Sequence, residues 1–264
     1  MKLKKTKLTV ESVVTVILAA GKGKRMNNPD MPKVLFEVNG KSMIDYVVRL
    51  ALRLNSLKTI LVVRHQRDAV VEHVTDQFGD RVSFVEQREQ LGTGHAVLQT
   101  EKVLEGFEGD VLLLSGDVPL LREQTVRKLL VDHQTTHAVA TILTAEASTP
   151  MGYGRILRHA DGSVERIVEE RDATEFERQV TEINSGIYVF KKVELFHALK
   201  GLQPTNAQHE YYLTGVFECF WREKLPVLAV KARDFKEVHG INTSDDLNEA
   251  QELVMAHSSR RSRG

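Results

Sequence analysis

Small and cationic residues follow the first apolar run of the chain. Val13–Leu18 is apolar and rich in β-branched residues, and it leads directly into Ala19-Ala20-Gly21-Lys22-Gly23-Lys24-Arg25. Small residues let the backbone come close to a ligand, and successive N–H groups of such a turn can bind an anion. Arg25 and the nearby Lys33 add fixed positive charge that suits a polyphosphate. The pattern predicts a phosphate-binding turn, with a plain turn as the alternative.

Two other phosphate-binding motifs do not fit this region. The dinucleotide fingerprint requires a glycine three residues after Gly23, and Met26 stands there. Gly40-Lys41-Ser42 has the ending of a P-loop, but Leu35 replaces the glycine that the motif requires five residues before Gly40. A nucleotide-dependent dehydrogenase and a P-loop enzyme are therefore disfavoured.

A carboxylate follows another apolar run. Val111–Leu114 leads into Ser115-Gly116-Asp117, which predicts Asp117 at the end of a buried strand. An ionised carboxylate there is costly unless a cation compensates it, and Mg²⁺ prefers such hard oxygen ligands. The same segment also has strong turn chemistry, so a plain turn is the alternative. Asn242 is the best candidate for a second oxygen donor, although taken alone it is better explained as a loop or capping residue.

The elements that position these residues alternate along the first half of the chain. Apolar runs predict strands at Val13–Leu18, Thr59–Val63, Val82–Val85, Val111–Leu114 and Ala138–Leu143. Amphipathic spacing predicts helices between them, at Met43–Leu54, Asp68–Phe78, His95–Leu104 and Glu123–His133. Apolar strands separated by helices imply a parallel sheet that is covered on both faces. The fold class predicted is therefore α/β, with a doubly wound sheet.

Beyond Pro150 the pattern changes to short extended pieces between glycine-rich turns. Strands are predicted at Arg155–Arg158, Val164–Glu169, Ile183–Phe190 and Val227–Val230. Helices are predicted at Tyr212–Arg222 and from Thr243 or Ser244 to about Met255. No linker-like composition separates the halves, so we expect a single domain, residues 13–256, with a mixed, mostly parallel sheet. Residues 1–12 are expected to be an N-terminal extension, and the basic residues 257–264 a disordered tail.

The composition limits the class of partner. Lys+Arg and Asp+Glu both number 36, so the net formal charge is zero and nothing predicts binding of nucleic acid or of a membrane. No run approaches the roughly 18 apolar residues of a membrane span, and Glu11 interrupts the segment most like a secretory signal, so the cytoplasm is the expected location. Cys219 is the only cysteine and is predicted to be a buried structural thiol. The ten histidines show no paired spacing of metal ligands, and none is given a role.

Taken together, the motifs resemble those of the sugar-nucleotide pyrophosphorylases. Leu18–Met26 followed by Pro32-Lys33-Val34-Leu35 is similar to the signature of that family. Later segments are similar to the uridyltransferase half of the bifunctional N-acetylglucosamine-1-phosphate uridyltransferases. These segments are Gln87–Ala96, Gly116–Leu120, Gly152–Ile156, Ile167–Glu169 with Asp172 and Ala173, Glu182–Ile187 and Glu210–Thr214. The resemblance runs from about Val14 to Asn242 and implies a Rossmann-like nucleotidyltransferase fold.

The resemblance also implies a role for each matching residue. Arg25 and Lys33 would be catalytic and hold the triphosphate, and Asp117 and Asn242 would bind Mg²⁺, which makes Asp117 catalytic as well. The residues implied in nucleotide binding are Leu18, Ala19, Ala20, Gly21, Lys33, Gln87, Gln90, Gly92, Thr93, Ser115, Gly116 and Asn242. Among these, Gln87 and Gly92 would bind the pyrimidine edge, and Thr93 would lie beside both nucleotide and sugar.

A second group would hold the hydroxyl and acetamido groups of the sugar. This group is Gly154, Glu169 and Asn184, with Tyr212 nearby. Taken singly, Glu169 also fits a solvated strand residue, Asn184 a bulge and Tyr212 a core ring. Their occurrence in the family order favours the functional interpretation.

Four departures from the family pattern stand out. Ser115 occupies a position where the family usually has tyrosine, Gly215 one where aspartate normally follows the Tyr-Tyr-x-Thr run, and His239 one where glutamate is expected. The hexapeptide-repeat β-helix of the acetyltransferase half has no counterpart in the 264 residues. We therefore expect no acetyl transfer, and the oligomeric state, monomer or small homo-oligomer, does not follow from the resemblance.

The implied reaction is a Mg²⁺-dependent transfer from UTP to N-acetylglucosamine 1-phosphate, which gives UDP-N-acetylglucosamine, a cell-wall precursor, and pyrophosphate. A nucleotidyltransferase for another sugar 1-phosphate or nucleotide, such as glucose 1-phosphate, is the alternative among enzymes. A non-catalytic nucleotide-sugar binding protein is the alternative from another class. Retention of Arg25, Lys33, Asp117 and Asn242 argues against that alternative.

Overall fold

The computed structural model of the chain has a mixed sheet with helices on both faces. The structure describes residues 12–21, 26, 28, 31–64 and 66–261, with side chains as far as residue 256. The strands within this part of the chain are β1 (Val13–Leu18), β2 (Glu37–Val38), β3 (Lys41–Ser42), β4 (Lys58–Val63), β5 (Ser83–Glu86), β6 (Asp110–Ser115), β7 (Ala140–Glu146), β8 (Gly154–Arg158), β9 (Val164–Val168), β10 (Glu182–Lys191) and β11 (Val227–Lys231). The helices are α1 (Met43–Arg53), α2 (Arg67–Phe78), α3 (Thr93–Leu98), α4 (Glu123–Thr136), α5 (Glu175–Arg178), α6 (Lys192–Lys200), α7 (Val216–Arg222) and α8 (Ser244–Arg261).

The main path of the sheet has the strand order β11-β7-β10-β6-β1-β4-β5. Neighbouring strands on this path are parallel, except that β10 runs antiparallel to both β6 and β7. Strand β8 pairs with β10, and β9 pairs with β8. The predicted doubly wound, mixed and mostly parallel α/β sheet is therefore confirmed.

Both faces of the sheet are buried, which explains the continuous apolar strands. Alternate residues of a strand point to opposite faces. In β1, Val13 and Ile17 join the core that α1, α2 and α4 cover, whereas Val14 and Val16 join the core that α3, α6 and α7 cover. No polar face remains on such a strand, so the sequence shows a run instead of an alternation.

Several elements differ from the prediction. Helix α3 ends at Leu98 and a separate 3₁₀ turn covers Lys102–Leu104, where one helix was predicted from 95 to 104. Helix α7 begins at Val216 because the residues before it bind the loop ahead of α3. Helix α6 and the hairpin β2–β3 were not predicted. Helix α8 continues to Arg261, into the tail predicted to be disordered, because neither glycine nor proline interrupts residues 244–261.

The reversed strand β10 has a consequence for the site. The carboxyl ends of β1, β4, β5, β6 and β7 lie at one edge of the sheet, and the antiparallel β10 brings its amino-terminal end to that same edge. Residues from the middle of the chain and from its last third thus meet at one rim. No helix of the described part of the chain is long and apolar enough to span a membrane.

Candidate active site

A cavity of about 240 Å³ opens at the carboxyl ends of the central strands. We call it the rim cavity. Its lining consists of Leu18, Ala19, Ala20, Gly21, Lys33, Val34, Gln87, Gln90, Gly92, Thr93, Ala96, Ser115, Asp117 and Glu210. This location agrees with the rule that ligands of open α/β sheets bind beyond the carboxyl ends of the strands. The residues predicted to bind the nucleotide thus share one cavity, except for Gly116, Asn242 and the undescribed Arg25.

Gly116 and Asn242 border the cavity without lining it. The Gly116 N–H donates to the carbonyl of Leu18 over 2.9 Å, which extends the pairing of β1 and β6 beyond the strands. A Cβ at position 116 would lie only 3.0 Å from that carbonyl oxygen, so the close approach requires glycine. Arg25 lies outside the described residues, and its implied role stays a prediction.

A lysine, an aspartate and an asparagine meet at the rim cavity. The Lys33 ammonium lies 2.5 Å from Asp117 Oδ2 and donates to Asn242 Oδ1 over 2.7 Å. Lys33 is the first residue of a short 3₁₀ turn, Asp117 lies two residues after β6, and Asn242 lies two residues before α8. The predicted convergence of Lys33 and Asp117 at one edge of the sheet therefore agrees with the structure.

The two oxygens of this group fit a magnesium ion. Both lie within hydrogen-bonding distance of one nitrogen, so they point at a common position where a positive charge already sits. The amide orientation of Asn242 is fixed, because its Nδ2 donates to the carbonyl of Gly240 over 2.9 Å and leaves Oδ1 for a cation. Carboxylate and amide oxygens suit Mg²⁺, which usually keeps several waters and phosphate oxygens as its other ligands. Asp117 and Asn242 would hold the metal. The Lys33 ammonium lies at the position that the ion would take.

A network around Asp246 positions the loop that carries Asn242. The Asp246 carboxylate accepts from the N–H groups of Asn242 and Thr243, each over 2.8 Å, and lies 3.1 Å from His239 Nε2. Burial alone would raise the pKa of Asp246, but these hydrogen bonds outweigh it and the pKa lies below its usual value. The Ile241 N–H donates to the carbonyl of Asp117 over 2.9 Å. This backbone hydrogen bond connects the loop of Asn242 directly to Asp117.

Side-chain hydrogen bonds and the positive φ of Gly92 determine the shape of the rim-cavity wall near Gln87. Gln87 is buried, and its amide donates to the Gly92 carbonyl over 3.0 Å. Gln90 accepts from Arg64 over 3.2 Å. Gly92 has φ +110°, and a Cβ there would lie 2.6 Å from the carbonyl oxygen of Tyr211. Only glycine can occupy this position without displacing the backbone.

Residues 211–213 form hydrogen bonds with this wall of the rim cavity. The Gly94 N–H donates to the Tyr211 carbonyl, and the Tyr211 N–H donates to the Leu91 carbonyl, both over 2.7 Å. Thr93 Oγ1 accepts from the Leu213 N–H over 3.0 Å. These bonds join the loop before α3 to the segment before α7. They also explain why Leu213–Gly215 form a separate 3₁₀ turn and not the start of the predicted α-helix.

Three of the residues implied in sugar binding lie together beside β10. Gly154 pairs with Asn184 across β8 and β10, and a Cβ at Gly154 would lie 3.3 Å from Glu169 Oε2. Asn184 donates to the Tyr188 hydroxyl over 2.6 Å, and Glu169 accepts from the Thr214 hydroxyl over 2.9 Å. Burial raises the pKa of the Glu169 carboxyl, although the Thr214 bond acts in the opposite direction.

Tyr212 lies with Glu169 in the lining of a second cavity, which has a volume of about 710 Å³. Its hydroxyl donates to Gln208 over 2.8 Å, so it is not a core ring. Burial, with the carboxylates of Asp172 and Glu169 nearby, raises the pKa of Tyr212 to about 12. Gly154 and Asn184 border Glu169 but do not line this cavity, so the sugar group is divided between the sheet edge and the second cavity.

Ser115, Gly215 and His239, which depart from the family pattern, each contact a neighbouring residue. The Ser115 hydroxyl donates to the Gly186 carbonyl over 3.4 Å. A Cβ at Gly215 would lie 2.9 Å from Leu202 Cδ2, so Leu202 fills the space beside the glycine. His239 contacts Asp246, as described above.

Several residues of the site were not predicted from the sequence. Glu210, Val34 and Ala96 line the rim cavity, and Thr214 holds Glu169. Asp246 supports Asn242, and the spacing of Thr243 and Asp246 is that of a helix-capping pair, which could have indicated it. The others carry no pattern of their own, because only the folded chain brings them to the cavity.

Comparison with known proteins agrees with this geometry. The family model described as nucleotidyl transferase matches residues 14–254. The chain is 46% identical over 239 residues to the bifunctional protein GlmU of Streptococcus mutans serotype c, an alignment that covers 90% of this chain and 51% of that protein. It is also 46% identical over 242 residues to the bifunctional protein GlmU of Streptococcus agalactiae serotype V, with 92% and 51% covered. The chain thus spans about half the length of the curated relatives it matches.

Solved structures share the fold at low sequence identity. A UDP-glucose pyrophosphorylase complexed with UDP-glucose matches with a TM-score of 0.74 at 16% identity, over 92% of this chain and 98% of that one. A putative glucose-1-phosphate thymidylyltransferase from Bacillus anthracis matches with a TM-score of 0.74 at 18% identity, over 91% and 94%. Because the family match extends from the first strand into the last helix, the chain belongs to the nucleotidyl transferase family and is a nucleotidyltransferase.

Proposed function

We propose that this nucleotidyltransferase transfers the uridylyl group of UTP to N-acetylglucosamine 1-phosphate, with Mg²⁺ as cofactor. The products would be UDP-N-acetylglucosamine and pyrophosphate. The observation that carries the proposal is the convergence of Lys33, Asp117 and Asn242 beside a cavity lined by the residues implied in nucleotide binding. The similarity to the bifunctional GlmU proteins supports the choice of substrates.

The reaction needs little covalent chemistry from the protein. A phosphate oxygen of the sugar 1-phosphate attacks the α-phosphorus of UTP, the bond from that phosphorus to the bridging oxygen breaks, and pyrophosphate leaves. The attacking oxygen is already ionised near neutral pH, so no general base is required. The protein must then position the two phosphates in line and neutralise their charge.

The residues of the site are suited to these tasks. Bound Mg²⁺ would neutralise the reacting phosphates and orient them. Asp117 and Asn242 would hold that ion, and Lys33, released from both oxygens, would be free to pair with phosphate oxygens. Gln87 and Gly92 would bind the base at the far wall, and Thr93 would lie between base and sugar. Glu169 would accept hydrogen bonds from the sugar.

A pyrophosphate-release assay tests this function. The chain is incubated with Mg²⁺, each of the common nucleoside triphosphates, and N-acetylglucosamine, N-acetylgalactosamine or glucose 1-phosphate. We expect the highest kcat/KM with UTP and N-acetylglucosamine 1-phosphate, and no turnover after chelation of the metal. Higher kcat/KM with glucose 1-phosphate or another nucleotide would replace the proposed substrates. UTP binding without pyrophosphate release for any pair would identify a non-catalytic binding protein.

A further inference from the structure

A cluster of three different metal-binding side chains lies where α6 meets α7. Cys219 belongs to α7, Glu223 directly follows that helix, and His197 belongs to α6. Within the described part of the chain, these residues are the one group whose nitrogen, sulfur and carboxylate atoms all lie within 4.8 Å of one another. Cys219 is partly exposed and lines the second cavity, so the predicted buried structural thiol is corrected.

The distances in this cluster approach those of a tetrahedral metal site. Cys219 Sγ lies 3.3 Å from Glu223 Oε1, and His197 Nε2 lies 3.6 Å from the same oxygen. Zinc bonds of about 2.0 Å to nitrogen or oxygen and about 2.3 Å to sulfur place tetrahedral ligands roughly 3.3 to 3.5 Å apart. Small side-chain rotations would therefore complete three ligand positions, and the fourth would face solvent. The His197 side chain is 70% exposed, which leaves an open path for an ion.

The donor atoms of this cluster favour a different class of ion from the one expected at the active site. Sulfur and imidazole ligands suit zinc and cobalt, whereas Mg²⁺ prefers oxygen. We propose that His197, Cys219 and Glu223 form a second cation site, for Zn²⁺ or a similar borderline metal, separate from Asp117 and Asn242. On binding, the Cys219 thiol loses its proton to solvent and a sulfur–metal bond forms, so no oxidant or reductant is needed.

One neighbouring group opposes the ion. The Arg222 guanidinium lies 3.4 Å from Cys219 Sγ, and its positive charge is unfavourable beside a cation. This charge predicts moderate affinity for the metal, although the same guanidinium donates a hydrogen bond to the sulfur. Removal of a ligand should weaken binding.

Sequence spacing could not indicate this site. Cys219 and Glu223 are four residues apart and share one side of a helix, but His197 lies 22 residues earlier in the chain. The packing of α6 on α7 brings it to the other two residues.

Cobalt titration of the 264-residue chain, without an affinity tag, tests the site. Cobalt bound to sulfur gives a near-ultraviolet charge-transfer band, and Cys219 is the only cysteine, so the band would report this site alone. Cobalt held by oxygen atoms at Asp117 and Asn242 gives no such band, which separates this test from the proposed function. We expect a band whose growth fits a single binding site, that zinc removes and that Mg²⁺ does not.

Variants complete the experiment. Cys219→Ser should abolish the band, and His197→Ala should weaken binding by roughly tenfold or more. His159→Ala, at an exposed histidine elsewhere, is the matched control and should leave binding unchanged. Circular dichroism checks that each variant is folded. Absence of the band, its persistence in folded Cys219→Ser, or an equal effect of both histidine variants would overturn the proposal.

Discussion

Strand β6 has an aspartate at its start and another just beyond its end, and the two are compensated in different ways. Asp110 at the start is 2% exposed, whereas the Asp117 side chain, at the rim cavity, is 26% exposed. Both carboxylates are ionised groups at the border of an apolar sheet. The comparison of their partners separates an acid that serves the fold from one that is available to a ligand.

Asp110 is surrounded by donors of the protein. Lys191 Nζ lies 2.6 Å from Oδ1, His133 Nε2 lies 3.5 Å from the same atom, and Gln134 donates to Oδ2 over 3.2 Å. Burial alone would raise the pKa of Asp110, but His133 and Lys191 outweigh it and the pKa is lowered. With both oxygens in contact with these partners and only 2% of the residue exposed, this carboxylate is not accessible to a ligand.

Among the residues that the structure describes, Lys33 is the cationic partner of Asp117. The long side chain of Lys33 reaches Asp117 and Asn242 from a loop, and the rim cavity lies beside all three. A metal ion can replace the ammonium without leaving the carboxylate uncompensated. The two acids thus differ in how accessible their carboxylates and partners are to a ligand.

Asp117→Asn should give the largest effect and leave the fold intact. Loss of the metal-binding charge should lower kcat for pyrophosphate release by roughly 10²- to 10³-fold, since one preorganised charge of this kind is worth that much. The free energy of unfolding should change by at most about 1.5 kcal/mol, because Lys33 keeps its bond to Asn242. Near-normal pyrophosphate release would show that Asp117 does not hold the metal.

Asp110→Asn should have the opposite profile. Removal of this charge leaves Lys191 without its buried partner and should cost about 2–4 kcal/mol of unfolding free energy, measured by urea denaturation. The kcat of the folded variant should stay within about twofold of the native value, because the site is at the other end of β6. A large loss of kcat without loss of stability would contradict the distinction drawn between the two acids.

The pH dependence of stability should identify Asp110 as well. Its pKa in the folded chain lies below the ordinary value of 3.8, so the folded state favours the ionised form. The resulting stabilisation is complete above the unfolded-state pKa and disappears as the pH falls through the lower folded-state pKa. Asp110→Asn should therefore reduce the loss of Tm between neutral and acidic pH. An unchanged acid dependence would show that other carboxylates account for it.

Lys33→Met should reveal the exchange of partners at Asp117. Without the ammonium, Mn²⁺ should bind the nucleotide-free chain about tenfold more tightly, since a hydrogen bond to a charged group no longer has to be broken. Calorimetry measures this affinity, and Asp117→Asn is the control that should bind more weakly. Equal or weaker binding by Lys33→Met would mean that the lysine does not occupy the metal position.

Lys191→Met should give the smallest effect. The Lys191 side chain is 37% exposed, and Asp110 keeps His133 and Gln134 after its removal. The cost should be below about 1 kcal/mol, with kcat unchanged. A cost as large as that of Asp110→Asn would show that the lysine alone compensates the buried acid.

The sequence allowed the prediction of this fold because the central strands are apolar over most of their length. The bounds of β1 were predicted correctly, and those of β4 and β6 to within one residue, since burial on both faces leaves a continuous apolar signal. The bounds of the less buried β5 were also predicted to within one residue. Helix α6 was missed because it follows β10 without a turn, and α5 is only four residues long. Weak local signals of this kind depend on tertiary packing.

The candidate site was predictable where the chain carries a motif. Asp117 follows a strand, and Lys33 follows a glycine-rich turn, so both could be expected at the rim. Asn242 required the resemblance to a family, because a single asparagine before a helix is more often a cap. The partner set of Asp110 could not be predicted, since His133 and Lys191 reach it from different elements.

The contacts that complete the rim cavity join distant parts of the chain. Lys33 and Asn242 are 209 positions apart, and Thr93 and Leu213 are 120 positions apart. Contacts of such long range carry a high entropic cost of loop closure, so they form late in folding. During synthesis, the chain cannot assemble both oxygen donors until residue 242 has been made. The proposed affinity for the metal and the nucleotide is therefore expected to arise late in folding, and early intermediates are expected to lack it.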